Sequence, residues 1–197
     1  MTFRILAVCT GNICRSPLAA MLLSQALGDE AGVEVASAGM RAIVGREMPP
    51  QLQLIARSCG IDPTAHRGQQ VDQRIVQDAD LILAMAREHR RDLVEQYPMA
   101  LRRTFTLKEL ARVAEEFAAE VPAVVASGNT VTDEDRMRAV VAFAASMRGA
   151  VRPLAGPADL DVADPYGGPD EGYRVSFEDI HPAVMRVAHL LSSAAEA

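Results

Sequence analysis

Short apolar runs alternate with longer segments in which apolar residues recur at helical spacing, and this alternation predicts an α/β fold. Residues 3–8, 33–37 and 103–107 have strand character. Residues 81–85 are entirely apolar, which suits a strand that is buried on both faces of a sheet. Because the strands alternate with helices along the chain, the pattern favours a parallel sheet.

Helix predictions depend on the apolar spacing and on the residues that begin or end helices. Ser16 is expected to cap the first helix, with Pro17 at its first position and Gly28 after its end. The remaining helices are predicted at residues 50–59, 71–77, 87–96, 108–120, 137–147 and 177–191. We expect the last of these helices to pack back onto the sheet.

Length and charge limit the classes of protein that this sequence fits. A chain of 197 residues suits one domain with a sizeable core, and a net charge of −6 argues against nucleic-acid binding. No apolar run approaches the roughly 20 residues of a membrane span, and the N-terminus lacks the pattern of a signal peptide. The three cysteines suggest neither a disulfide framework nor a metal site, so we expect a cytoplasmic protein.

The segment Cys9-Thr-Gly-Asn-Ile-Cys-Arg-Ser-Pro17 carries the strongest chemical signal in the chain. It lies between a predicted strand and a predicted helix, and it contains the pair Gly11-Asn12. Such a loop turns backbone N–H groups inward and the helix start adds positive potential, so together they can cradle a phosphate. Arg15 can bind two phosphate oxygens, and the same field favours the thiolate of Cys9, which is the nucleophilic form.

This segment resembles the signature loop of the low-molecular-weight protein tyrosine phosphatases, in particular their bacterial members. Further similarity lies at Ser37-Ala-Gly39, His66-Arg67, Asp80–Met85 and Asp164-Pro-Tyr-Gly167. The family fold implies a single-domain, three-layer, flavodoxin-like structure with four parallel strands in the order 2-1-3-4. Residues 109–159 look like additional material, and we expect a helical insertion there, at the periphery or beside the cleft.

The resemblance implies a reaction that needs neither a metal nor a cofactor. Cys9 attacks phosphorus and forms a cysteinyl-phosphate, while Arg15 holds the equatorial oxygens. A general acid must protonate the leaving group, and Asp164 is the candidate because an Asp-Pro-aromatic sequence holds the family's acid. Asp159 and Asp161 lie nearby, but neither precedes a proline. The phosphate-binding residues are then those of the loop itself: Thr10, Gly11, Asn12, Ile13, Cys14, Arg15 and Ser16.

Four further residues receive roles from the same resemblance. Ser37 and His66 match the serine and the histidine that brace the loop asparagine in the family. Tyr166 is expected to form one wall of the cleft and to stack on a substrate ring. Cys14 is expected to approach Cys9 and to trap its oxidised form as a disulfide; the alternative is a small packing residue beneath the loop.

The predicted activity is hydrolysis of protein phosphotyrosine, with a tyrosine-phosphorylated protein such as a bacterial tyrosine kinase as the partner. Phosphoarginine phosphatases of the superfamily have a similar loop with a threonine at the position of Ile13, so Ile13 favours tyrosine. Gly167 and the lack of tryptophan in residues 40–45 make the cleft less aromatic than in eukaryotic members.

Proteins of the same fold have two other functions, and the sequence argues against both. A thiol-dependent arsenate reductase needs two further cysteines, and residues 83–91 contain none. A phosphoprotein-binding relative without activity usually lacks the nucleophile or the acid, whereas both are present here. No oligomeric state follows from the sequence.

Overall fold

The computed structural model describes residues 2–28, 32–128, 130–152 and 156–197, which form a parallel sheet flanked by helices. The order of the strands is β2-β1-β3-β4, and every neighbouring pair is parallel. This confirms the predicted α/β class and the strand order that the resemblance implied. The strands are β1 (Phe3–Cys9), β2 (Val33–Gly39), β3 (Leu81–Ala84) and β4 (Thr104–Thr106).

The helices of the described residues alternate with the strands and then continue to the end of the chain. The first four are α1 (Arg15–Leu27), α2 (Pro50–Ser58), α3 (Gln73–Asp78) and α4 (Arg87–Gln96). The last four are α5 (Leu107–Phe117), α6 (Val121–Ser127), α7 (Asp133–Met147) and α8 (Asp170–Glu196). No helix in the described ranges combines the length and the apolarity that a bilayer crossing requires.

The sheet separates two apolar layers because successive side chains of β1 point to opposite faces. Phe3 and Ile5 belong to a large core that also contains residues of α1, α5 and α8. Leu6 and Val8 belong to a smaller core with residues of α3 and α4. Cys9 ends β1 at the carboxyl edge of the sheet, where parallel α/β proteins bind their ligands.

The start of α1 differs from the prediction. The helix begins at Arg15, so Ser16 is not its cap and Pro17 is its third residue. The reason is that the Ser16 hydroxyl has partners in the preceding loop: it lies 3.0 Å from Cys9 Sγ and accepts a hydrogen bond from Asn12 Nδ2. A side chain that is committed to the loop cannot also satisfy the free N–H groups of the helix.

Other helix boundaries also differ from those that apolar spacing predicted. The last helix begins at Asp170 instead of 177, and acidic residues in its first turn complement the helix dipole. The third helix begins at Gln73 because the Asp72 carboxylate accepts a hydrogen bond from the Ile75 N–H at 2.8 Å. The short helix α6 was not predicted.

The helices α5, α6 and α7 pack into the large core together with α8. Leu110, Val125 and Val140 are buried members of that core, one from each helix. These three helices therefore contribute to the same apolar cluster as the sheet. The description of residues 109–159 as an insertion in a single domain stays a prediction.

Candidate active site

The loop that joins β1 to α1, residues 9–16, is called the phosphate loop below. At its centre Asn12 has a φ of 53°, in the left-handed region that side chains rarely adopt, and it is fully buried. Its Nδ2 donates to Ser16 Oγ at 3.0 Å and to Ser37 Oγ at 2.9 Å. The asparagine side chain thus joins the C-terminal end of the loop to strand β2.

The segment that follows α2 holds the other polar groups of Asn12. His66 Nε2 donates to the Asn12 carbonyl at 2.8 Å, and the Gln69 N–H donates to Asn12 Oδ1 at 2.9 Å. Burial lowers the pKa of His66 below its ordinary value, although its bond to the Asn12 carbonyl acts in the opposite direction. The structure therefore places Ser37 and His66 against Asn12, and it adds Gln69, which the sequence analysis did not consider.

Cys9 lies at the floor of the phosphate loop and is buried. Its sulfur is 3.0 Å from Ser16 Oγ and accepts a hydrogen bond from the Asn12 N–H at 3.3 Å. Both neighbours can donate a hydrogen bond to the sulfur. This environment suits a nucleophile that must also leave again as an anion.

The loop also presents unused backbone donors. Within the described residues, the N–H groups of Thr10, Gly11, Ile13 and Cys14 find no backbone acceptor. They stand beside the N-terminus of α1, where the helix dipole is positive. Amide donors grouped at a helix start form an anion-binding site of the kind that binds phosphate.

Arg15 and Asp164 meet at the loop although 149 positions separate them along the chain. The Arg15 guanidinium is buried and donates to Asp164 Oδ2 at 2.6 Å and to the Val162 carbonyl at 3.3 Å. The Val162 N–H in turn donates to the Met85 carbonyl at 2.8 Å, just beyond β3. The Asp164 loop is thus attached to the carboxyl end of the sheet, where it reaches the nucleophile.

The rival carboxylates have other partners. Asp161 binds the Arg87 guanidinium and accepts a hydrogen bond from the Arg87 N–H at the start of α4. Burial alone would raise the pKa of Asp161, but the bonds from Arg87 outweigh burial and hold the pKa below its ordinary value. Asp159 accepts from the Gly156 N–H and does not line the active-site cavity. Of these three aspartates, Asp164 is the one that is exposed and also lines the active-site cavity described below.

One cavity of about 160 Å³ is lined by most of the predicted residues, whereas Asn12, Ser16, Ser37 and His66 lie outside its lining. Tyr166 and Ile43 form its apolar outer part, and both are exposed. In the described part of the chain, no group of three or more histidine, cysteine, aspartate and glutamate side chains could hold a metal ion. The lining residues are Cys9, Thr10, Gly11, Ile13, Cys14, Arg15, Arg41, Ile43, Asp164 and Tyr166.

Cys14 lines this cavity together with Cys9, and both cysteines are free thiols. Burial, reinforced by the neighbouring Cys9, raises the pKa of Cys14 to about 12. The Cys14 thiol is therefore protonated at neutral pH, which makes it a slow nucleophile. Its role as a redox partner of Cys9 stays a prediction.

His89 also contacts this site, although no motif in the sequence indicated it. It is 2% exposed, and its Nε2 forms a hydrogen bond of 2.9 Å with Thr10 Oγ1 in the phosphate loop. Burial, and then the positive charge of Arg15, lowers the pKa of His89 to about 4. Its position in the charged helix α4 gave no sequence signal, because only the fold brings this helix against the loop.

Comparison with known proteins agrees with the fold and the loop. Residues 4–143 match the family described as low molecular weight phosphotyrosine protein phosphatase. The chain belongs to this family and is a phosphatase. The matched range ends before Asp164, so it gives no support to the choice of the acid.

Individual relatives bear different names. A protein-arginine-phosphatase of Geobacillus stearothermophilus is 33% identical over 193 residues, which cover 98% of this chain and 99% of that protein. The probable low molecular weight protein-tyrosine-phosphatase EpsP of Ralstonia solanacearum is 42% identical over 106 residues, 54% of this chain and 71% of that protein. The solved structure of the YwlE arginine phosphatase from Geobacillus stearothermophilus gives a TM-score of 0.66 at 32% identity, with 96% of this chain and 93% of that chain covered.

A methyl group at Gly39 should disturb the phosphate loop. A Cβ atom there would lie 2.5 Å from the Thr10 carbonyl oxygen and 3.0 Å from the Asn12 nitrogen, so the loop backbone would have to move. A displacement of about 1 Å at reacting groups can cost about 10²-fold in rate. We predict that Gly39→Ala lowers kcat/KM by this order and weakens phosphate binding in calorimetry. Gly149→Ala, where no atom lies within 4 Å, should match the wild type; equal behaviour of both variants would contradict the prediction.

Acidification should destabilise the protein through His89. Its folded-state pKa of about 4 lies below the ordinary 6.5, so the unfolded chain binds more protons between these values and stability falls as the pH falls. The His89 contribution is on the order of 1–3 kcal/mol. Urea unfolding of His89→Gln between pH 7 and pH 4 should show a shallower loss than the wild type. The exposed His189→Gln serves as the control, and a slope for His89→Gln equal to that of wild type would exclude this role.

Proposed function

We propose that this phosphatase hydrolyses phosphotyrosine in proteins through a cysteinyl-phosphate intermediate. One observation carries the proposal: a single cavity contains the Cys9 sulfur, the unused loop amides, the Arg15 guanidinium and the Asp164 carboxyl group. In this proposal the sulfur is the nucleophile and the loop amides bind the phosphate. The guanidinium stabilises the negative charge of the phosphoryl oxygens, and the carboxyl group is the general acid.

In the first step the Cys9 thiolate attacks phosphorus in line with the ester oxygen. The S–P bond forms while the P–O bond to the leaving phenol breaks, and Asp164 gives its proton to that oxygen. The loop amides and Arg15 bind the equatorial oxygens, where charge is spread in the transition state. Since Arg15 already donates to Asp164 at 2.6 Å, the acid and the clamp share one fixed geometry.

In the second step a water molecule attacks the phosphorus of the intermediate. The Asp164 carboxylate accepts a proton from that water, the S–P bond breaks, and inorganic phosphate is released. Cys9 leaves as a thiolate, which the Ser16 hydroxyl and the Asn12 N–H stabilise through the contacts at 3.0 Å and 3.3 Å. The same two donors therefore assist both steps.

The choice of phosphotyrosine depends on the walls of the cavity. Ile13 lines the inner part, while Tyr166 and Ile43 line the outer part, and a phenyl ring buries apolar surface against such walls. The family resemblance described above, in which phosphoarginine phosphatases have a threonine at the position of Ile13, favours the same substrate. We expect the buried position of Cys9 to suit the reach of phosphotyrosine better than that of the shorter phosphoserine.

Phosphoarginine is the second candidate substrate. Its support is the protein-arginine-phosphatase that aligns with almost the whole length of this chain. An arsenate reductase is disfavoured, because Cys59 lies at the end of α2 and does not line the cavity with Cys9 and Cys14. We further propose that the enzyme is a bacterial, cytoplasmic protein and that its partner is a tyrosine-phosphorylated protein such as a bacterial tyrosine kinase.

Replacement of Asp164 should separate substrates by their leaving groups. Asp164→Asn keeps the side-chain size but cannot donate the proton, so hydrolysis of a phosphotyrosine peptide should slow by about 10²–10⁴. The loss should be smaller for p-nitrophenyl phosphate, whose leaving group needs no proton. Steady-state kinetics in the presence of a metal chelator measure both effects, and the chelator should change neither rate.

Two controls make the assignment of the acid specific. Asp159→Asn should retain wild-type rates, because Asp159 accepts a hydrogen bond from the Gly156 N–H and does not line the cavity. If Asp159→Asn or Asp161→Asn reproduced the leaving-group pattern in place of Asp164→Asn, our assignment of the acid would be wrong.

Substrate preference should follow the residue at position 13. We expect wild-type kcat/KM to be highest for a phosphotyrosine peptide, compared with phosphoserine and phosphoarginine peptides of the same sequence. Ile13→Thr should move the preference toward phosphoarginine, because it removes apolar contact with the ring. Val44→Thr makes a similar change at an exposed position outside the cavity and should leave the ranking unchanged. Comparable rates of the wild type on all three peptides would refute the phosphotyrosine assignment.

A further inference from the structure

The segment after β2 is fixed to the phosphate loop by backbone hydrogen bonds. The N–H groups of Met40, Arg41 and Ile43 donate to the carbonyls of Cys9, Thr10 and Gly11 at 2.9, 2.9 and 3.0 Å, in that order. The segment thus follows the phosphate loop residue by residue. The side chains of Arg41 and Ile43 line the active-site cavity, and these bonds fix their backbone to the loop that contains Cys9.

Arg41 is the residue of this segment that adds a positive charge to the cavity wall. It lines the cavity together with Cys9 and Tyr166, and it is exposed. Within the described residues its guanidinium has no hydrogen bond and no ion pair. Arg15, the other cation of the cavity, is buried and paired with Asp164. The cavity mouth therefore carries one basic side chain that is free to bind a ligand.

The chemistry of the substrate limits what Arg41 can bind. The phosphate of the substrate reaches the buried floor at Cys9, where the loop amides and Arg15 surround it. An exposed arginine at the mouth faces the residues on either side of the phosphotyrosine. Because the protein has a net charge of −6, an acidic peptide gains little from the overall field, and a local cation is needed to attract it.

We propose that Arg41 determines specificity by selecting phosphotyrosines that have a carboxylate on an adjacent residue. This inference deepens the proposed phosphotyrosine activity and rests on it. The guanidinium can bind a carboxylate through two N–H groups, a geometry that a lysine would not supply. An exposed ion pair of this kind changes kcat/KM by about two- to fivefold, and added salt screens it.

The test uses two phosphopeptides that differ only in charge, with glutamate or glutamine on both sides of the phosphotyrosine. At low salt the wild type should show a kcat/KM about two- to fivefold higher for the glutamate peptide than for the glutamine peptide. The ratio of the two kcat/KM values should approach one at about 0.5 M salt, because the Debye length then falls to a few ångströms. Arg41→Ala should give a ratio near one at all salt concentrations. Arg41→Glu should prefer the glutamine peptide.

Arg46→Ala is the matched control. Arg46 is also exposed and also has no ion pair in the part of the chain that the structure describes, but it does not line the cavity. Its replacement should leave the wild-type ratio unchanged. p-Nitrophenyl phosphate, which has no flanking residues, should lose less activity in Arg41→Ala than the glutamate peptide does.

Two outcomes would overturn the inference. One is a glutamate preference that persists in Arg41→Ala. The other is an equal loss on both peptides and on p-nitrophenyl phosphate, which would mean that Arg41 binds the scissile phosphate itself. If the enzyme instead prefers phosphoarginine, the proposed function fails separately, and the same glutamate and glutamine pair built around phosphoarginine still tests Arg41.

Discussion

The left-handed backbone of Asn12 is the constraint on which the active site depends. For a residue other than glycine this backbone conformation costs about 1–3 kcal/mol, so it persists only where the surrounding structure enforces it. Here the polar groups of Asn12 bind Ser16, Ser37, His66 and Gln69, and the residue is fully buried. With Asn12 in the left-handed conformation, the neighbouring N–H groups of the phosphate loop have no backbone acceptors. The Asn12 N–H itself points to the Cys9 sulfur. The anion binding and the thiolate stabilisation that we propose thus depend on this one residue.

The rest of the fold supplies the groups that this loop lacks. The sheet order places the carboxyl end of β3 beside β1, and the Asp164 loop attaches there through Val162 and Met85. Helix α4, which follows β3, brings His89 against Thr10. Asp164 and the buried His89 therefore reach the loop because β1 lies between β2 and β3, although both are distant from the loop in sequence.

Sequence analysis could predict the elements whose signal is local. The strand, the Cys-x5-Arg segment and the following helix are contiguous, and the helical and apolar patterns locate most other elements. The contact of Ser16 with Cys9 follows from the place of Ser16 in the loop. The partner of His89 could not be predicted, because only the folded chain brings helix α4 against Thr10. Ser16 has the sequence signature of a helix cap, yet its hydroxyl binds within the loop. His89 lies in a strongly polar segment and is nevertheless 2% exposed.

The central claim is that Cys9 becomes covalently phosphorylated during turnover. Rapid acid quench of the enzyme mixed with a phosphotyrosine peptide, followed by peptide mass spectrometry, tests it most directly. We predict one phosphoryl group on the peptide that contains Cys9 within the first turnover. This group should disappear as substrate is exhausted, and it should be absent from Cys9→Ala. A phosphoryl group on another residue, or full turnover by Cys9→Ala, would contradict the cysteinyl-phosphate mechanism.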